Sequence, residues 1–350
     1  MPTLIALVFP DSHDLNFSNR PVRTRMPGGV AGERSAKLTA PMPIIEERWV
    51  TVPAAYVGVI LIWATTPLGI KWSGDDIDFL FGVTARMAIG LVLCLLLVAL
   101  MSRRMRWYPA ALYTYLAAGI GMWLAMTGVY WAAQQIPSGL ISVVFGLAPL
   151  VTGWMAATWL GEVVFTPFRI VGMACGVLGL GVIFAQGAAI GSAAFAGIAV
   201  VIASVVVHSL SAVWVKRIDA GIHPLEVTTG ALIVAVPLYA LTWWLAGDGA
   251  PVEIPPRALA AILYLGVFGS VIGFVMYYYL LKYSQASRVA LITLVTPVLA
   301  LMIGQQLNAE VIGTRVWVGT LVILFGLASF QWGDRFQEKG GIAGRRREGQ

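Results

Sequence analysis

Between residues 52 and 332 the chain runs through one apolar stretch after another, most close to 20 residues long and nearly free of charge. A hydrocarbon layer takes about 20 residues of helix to cross. Inside it, every backbone amide and carbonyl has to be paired within the protein. Two architectures meet that demand, a helical bundle and a closed β-barrel. A barrel strand reads as about ten residues of alternating polarity. The stretches here are continuous and rich in Leu, Ala, Gly and Val, so the expectation is an all-α integral membrane protein. Composition agrees: 59% of the residues are hydrophobic and 11% are charged, where a soluble domain carries about 25% charged residues.

Ten crossings are predicted, at 52–71, 79–101, 110–132, 139–160, 168–186, 194–214, 226–246, 258–280, 287–307 and 316–332. Short connections separate them, several marked by the breakers Pro109, Pro137, Pro167, Pro224 and Pro255–Pro256. Ten is an even number, so both termini share a side. With that side taken as the cytoplasm, nineteen Lys and Arg fall inside and three outside (Lys71, Arg257 and Arg315), with Arg86 within a span. This is a strong positive-inside bias, and adding or removing one helix would scramble it. The +6 net charge is therefore an orientation signal at helix ends and tails, not the footprint of a nucleic-acid partner.

The chain also repeats itself. Tyr130, Pro149 and Glu162 return as Tyr278, Pro297 and Glu310, each shifted by 148 residues. Between them Ile141, Val144, Leu147 and Leu150 answer to Val289, Ile292, Val295 and Val298. Five helices per copy is odd, so the second copy enters the membrane from the opposite side. The two copies, 49–187 and 188–333, are thus expected to form inverted repeats about an axis in the membrane plane, the arrangement of carriers that bind at the repeat interface. Residues 1–48 lack periodicity. They read either as a disordered tail or as an annotation artefact, with translation starting at Met26 or Met42. Residues 334–350 read as a basic cytoplasmic tail. Cys94 and Cys175 fall within spans and read as small packing residues, not as a disulfide or metal site.

Trp63 to Lys71 (WATTPLGIK) at the end of the first crossing, Arg86 in the second, and the Pro149…Gly161-Glu162 and Pro297…Glu310 pairs, each followed by a Gly-rich helix, resemble the EamA-like transporters of the drug/metabolite transporter superfamily. The resemblance covers residues 50–335. Two departures stand out: Ala309 replaces the glycine of the first pair, and the sixth crossing ends in Trp214-Val-Lys216 without a full counterpart of the 63–71 stretch. The resemblance implies ten helices and transport of small organic solutes, amino acids, related metabolites or drugs, often outward, with no prosthetic group. No Walker-type Gly-Lys-Ser/Thr run is present, so ATP is not expected to drive the protein directly. The leading expectation is a secondary transporter in the inner (plasma) membrane that works by alternating access, with the lipid bilayer and a small-molecule solute as its partners. Its rivals are an integral-membrane enzyme acting on lipids or lipid-linked sugars, and a non-transporting assembly component. The acids of the Asp75–Asp78 loop have no His or Cys partners nearby in sequence, so no catalytic residue is expected.

Individual residues carry two readings each. Arg86 is either a cavity cation for a substrate carboxylate or phosphate, or a lock that bonds to backbone carbonyls or snorkels toward the outer headgroups. His208, the one histidine within a span, is either a proton carrier or a contact between helices. Glu162 and Glu310 sit at helix ends as a gate or as caps for the amide groups of the following helix. Pro149 and Pro297 are predicted to kink their helices beside the site. Trp63, Trp123 and Tyr264 are the preferred cavity aromatics. Gly172, Gly176 and Gly179, with Gly269 and Gly273, read as helix packing or a homodimer contact.

Overall fold

A computed structural model describes residues 51–329 apart from 162–166, 191 and 327. The expected tails and Glu162 lie outside the described residues. Contacts divide the chain into Met1–Ala54 and Ala55–Gln350; of the first unit only 51–54 are described, and the fold is that of the second.

Every regular element is helical, with no strand among the described residues. In order they are α1 (Val52–Trp72), α2 (Phe79–Leu100), α3 (Pro109–Ala133), α4 (Ser138–Phe145), α5 (Ala148–Leu160), α6 (Pro167–Ile190), α7 (Ser192–Ile218), α8 (Pro224–Ala246) and α9 (Pro256–Tyr264). A π-helical stretch, Leu265–Ile272, joins α9 to α10 (Gly273–Tyr283). Then come α11 (Ala286–Val289), a 3₁₀ turn at Ala290–Leu294, α12 (Thr296–Asn308) and α13 (Thr314–Gly326). Among the described residues seven helical segments are long and apolar enough to cross a membrane: α1, α2, α3, Ser138–Leu160, Ala193–Ile218, α8 and Pro256–Tyr283. Three of the ten expected ranges are not among the seven. The apolar part of α6, Ile170–Ile183, and α13 are shorter, and 287–307 is broken into three pieces.

The predicted breakers open helices. Pro109, Pro167, Pro224 and Pro256 are each the first residue of theirs, where the missing amide costs nothing. Side chains cap two helix starts. Asp78 accepts from the Leu80 amide at 2.9 Å at the start of α2, and His223 Nδ1 accepts from the Leu225 amide at 3.2 Å at the start of α8. Such bonds satisfy amides that a helix start leaves orphaned.

The prolines expected to kink helices behave differently. The helix stops at Phe145 and restarts at Ala148, with Pro149 second in α5; Pro297 is likewise second in α12, after the 3₁₀ turn. A proline in a first turn needs no amide partner, so the chain breaks before it instead of bending at it. Local parallels follow the 148-residue sequence repeat. α5 and α12 each run 13 residues and each ends on a left-handed residue, Gly161 at φ 67° and Ala309 at φ 49°. The lysine caps match too. Lys71 Nζ lies 3.5 Å from the Ala133 carbonyl oxygen and 3.4 Å from that of Ile136, at the end of α3. Lys216 Nζ donates to the Leu281 carbonyl at 2.8 Å, near the end of α10, and Ala133 and Leu281 are themselves 148 residues apart.

α3 is central. It runs antiparallel to α7, with Gly121 against Ser211 and Gly128 against Ser204, and parallel to α8, with Gly119 against Val234 and Trp123 bonded to Thr242. α2 runs antiparallel to α8: the Phe81 and Trp243 rings lie 5.5 Å apart, and Gly90 faces Leu232. Glycine at 121 and 128 removes the Cβ that would strike the serines, so the helices close up. The opposite side of α3 shows Leu112, Leu116, Ile120 and Leu124 in a row, each between 39% and 44% exposed. An exposed aliphatic stripe at helical spacing is the surface a bilayer covers.

Candidate functional site

α3, α7 and α10 meet around a cavity of ≈ 10 Å³, about the space one water needs. α3 contributes Ala118, Met122 and Met126; α7 contributes His208 and Ser211; α10 contributes Phe274, Tyr277 and Tyr278. The spacing explains the lining. Ala118, Met122 and Met126 recur every four residues and so share one face of α3, as Phe274 and Tyr278 do on α10. Aromatic rings close round it. His208 lies 5.3 Å from Tyr277, 5.9 Å from Trp63 and 6.0 Å from Phe145, centroid to centroid, and Trp63 lies 5.1 Å from Tyr277. Ser211 is committed to the Ala117 carbonyl at 3.0 Å. The lining is therefore largely apolar and aromatic, with one imidazole and the phenols of Tyr277 and Tyr278 as its titratable groups.

Trp63 and His208, singled out from the sequence, come together here. Trp123 and Tyr264 do not join them. The Trp123 indole donates to Thr242 Oγ1 on α8 at 3.0 Å. The Tyr264 hydroxyl lies 2.6 Å from Thr65 Oγ1, and its ring stacks on Phe268 at 5.2 Å. Met122, Met126, Ser211 and Phe274 were missed. The four-residue rows 118/122/126 and 274/278 were the signal that could have found part of this lining.

Arg86 is 1% exposed. Its Nε donates to Ser270 Oγ at 2.9 Å, and one terminal nitrogen to the Tyr130 hydroxyl at 3.4 Å. Both partners are neutral. Gly269 gives the guanidinium room: a Cβ there would stand 2.8 Å from Arg86 Nη2. The π-helical turn that carries Gly269 and Ser270 widens the backbone at this point, a distortion frequent at functional sites.

Two polar clusters lie at the opposite ends of α1 and α3. At the Trp72 face, Glu310 is 8% exposed and accepts from the Ser138 amide at 3.0 Å and the Gly139 amide at 3.3 Å. It caps the start of α4, where a carboxylate is favoured. The helix it caps is not the one that follows it but one in the other copy. Asn308 donates to Glu310 at 3.2 Å and accepts from Trp72 at 2.9 Å and Arg257 at 2.7 Å. Arg257 also lies 4.3 Å over the Trp72 ring and 3.9 Å from Asp75. At the Tyr108 face, Tyr108 donates to the Ala220 carbonyl. There Arg106 pairs with the buried Glu226 at 3.8 Å.

Among the described residues no group of three His, Cys, Asp or Glu could hold a metal ion. The sequence model of the EamA-like transporter family matches residues 53–185 and again residues 195–330. The chain is similar to an uncharacterized transporter of Archaeoglobus fulgidus, 27% identical over 77% of this chain and 94% of that one. It is also similar to a probable terminal-alkyne amino-acid exporter of Streptantibioticus cattleyicolor, 31% identical over 52% of this chain and 61% of that one. A solved crystal structure shares the fold, with a TM-score of 0.62 at 19% identity, over 80% of this chain and 97% of that one.

Proposed function

Because the chain belongs to the EamA-like transporter family, we propose that this multi-pass membrane transporter carries a small organic metabolite of the amino-acid kind outward across the inner membrane by alternating access. Ten helices in two inverted five-helix repeats carry the exchange, and both termini face the cytoplasm. The observation that bears most weight is the cavity's position. It is lined by α3, from the first stretch matched by the family, and by α7 and α10, from the second. A site at such a junction opens to one face or the other as the halves move. The two matches and the antiparallel course of α2 and α8 support inversion. The polar clusters at the two faces are the contacts that alternating access would break in turn: Asn308 with Trp72 and Arg257 on one side, Tyr108 with Ala220 on the other.

The outward direction and the amino-acid class draw on the name of the relative from Streptantibioticus cattleyicolor. His208 is the candidate for proton coupling, since it combines a cavity position with a side chain whose ordinary titration range spans neutrality. The test is flux. Full-length protein in proteoliposomes is given a panel of labelled amino acids, with and without an imposed pH gradient. Movement of an unchanged solute is the expected result. Chemical conversion of the solute, or no flux for any member of the panel, overturns the proposal.

A further inference from the structure

The α3 row that lines the cavity does not end there. Ala118, Met122 and Met126 are followed, one turn on, by Tyr130; on the facing strand of the seam, Tyr278 and Phe274 are preceded by Ser270. Tyr130 and Ser270 are the two residues that hold Arg86. The guanidinium therefore stands at the end of the same seam, about 6 Å along the helix axis from the cavity residues. It is 1% exposed. Among the described residues its hydrogen-bond partners are two hydroxyls, with no carboxylate in ion-pair range and no hydrogen bond to Nη2. Gly269 keeps the space beside Nη2 clear of a Cβ.

A buried cation without a counter-charge is costly, and the usual remedy is an anion in bidentate contact. We propose that Arg86, Tyr130 and Ser270 form a carboxylate-binding subsite for the transported solute, whose apolar remainder lies among Met122, His208 and Tyr277. A single guanidinium neutralises a single negative charge, which selects a monoanionic carboxylate over a dianionic phosphate ester. Aromatic faces beside it tolerate an ammonium through their π-clouds, so a zwitterionic amino acid is accommodated as well as a simple acid. The inference rests on the reading of this cavity as the transport site and names the chemistry that site selects.

The experiment uses full-length protein in nanodiscs and three probes that share a 2-phenylethyl group: 3-phenylpropionate, 3-phenylpropanamide and 2-phenylethyl phosphate. Binding is read by Trp fluorescence and thermal unfolding, and flux of the same acid is read separately in proteoliposomes. The expected result is binding of the acid about 10- to 100-fold tighter than the amide, as for loss of hydrogen bonds to a charged group, with the phosphate ester weaker than the acid. Arg86→Lys is expected to erase most of that preference, and Ser270→Ala, which keeps the cation, to reduce it. Equal binding of acid and amide, tighter binding of the phosphate ester, or no binding of any probe overturns the subsite. If Arg86→Lys fails to fold, the wild-type acid-to-amide ratio still decides the matter. Acid-selective binding without flux leaves the subsite standing and overturns the transporter reading instead.

Discussion

Ala309 and Gly161 occupy the same left-handed position in the two copies, at φ 49° and φ 67°. An L side chain in that region carries a penalty of about 1 kcal/mol that glycine escapes. No atom of the described residues lies within 4 Å of a Cβ built on Gly161, and the conformational cost of Gly161→Ala is about 1 kcal/mol. Ala309→Gly should raise stability by up to about 1 kcal/mol. Thermal unfolding of both variants in detergent checks the pair, and shifts of the same sign would contradict the account. His208→Gln keeps a polar side chain of similar reach and removes the titrating ring. Uptake driven by a pH gradient should be lost while exchange of solute for solute continues; pH-driven uptake that survives the change would remove His208 from coupling. The sequence marked Trp63 and His208 by depth alone, and they meet. Trp123 and Tyr264 had the same depth, but depth does not say which neighbour a ring turns towards. Hydroxyls on adjacent helices, Thr242 and Thr65, draw both away from the cavity.

α4 is eight residues long, Ser138–Phe145, and is followed by a break. A helix so short is marginal by itself, and it is anchored by a carboxylate from the other copy. Glu310→Ala leaves the Ser138 and Gly139 amides without their acceptor. A loss of about 1–3 kcal/mol in unfolding free energy is expected, and Glu310→Gln, which keeps one acceptor oxygen, should lose less. Equal losses would show that charge, not hydrogen bonding, is what α4 needs. The existence and order of the long helices were legible in the sequence because apolar length and proline punctuation are local properties. The breaks before Pro149 and Pro297 were harder to read. A proline inside an apolar run is compatible with a bend or with a restart, and the choice depends on partners far away in sequence. The same holds for Glu310: the duplication flagged it, but its partner, the start of α4, is a tertiary fact.

The paired lysine caps at the C-terminal ends of the matched helices, Lys71 on α3 and Lys216 on α10, were obscured in the sequence because the two stretches around them differ. Their equivalence bears on topology. Single cysteines introduced at Ser102 and Ala220, in a background with Cys94 and Cys175 replaced by Ala, should both react with an impermeant thiol reagent from the cytoplasmic side. Reaction from opposite sides would dismantle the inverted arrangement. The structure also bears on pharmacology. With room for about one water between α3, α7 and α10, this cavity is too small to admit an inhibitor as it stands. A blocker must first part the Trp63, His208 and Tyr277 rings, so its association should be slow, and inhibition should build with a lag longer than diffusion alone would give.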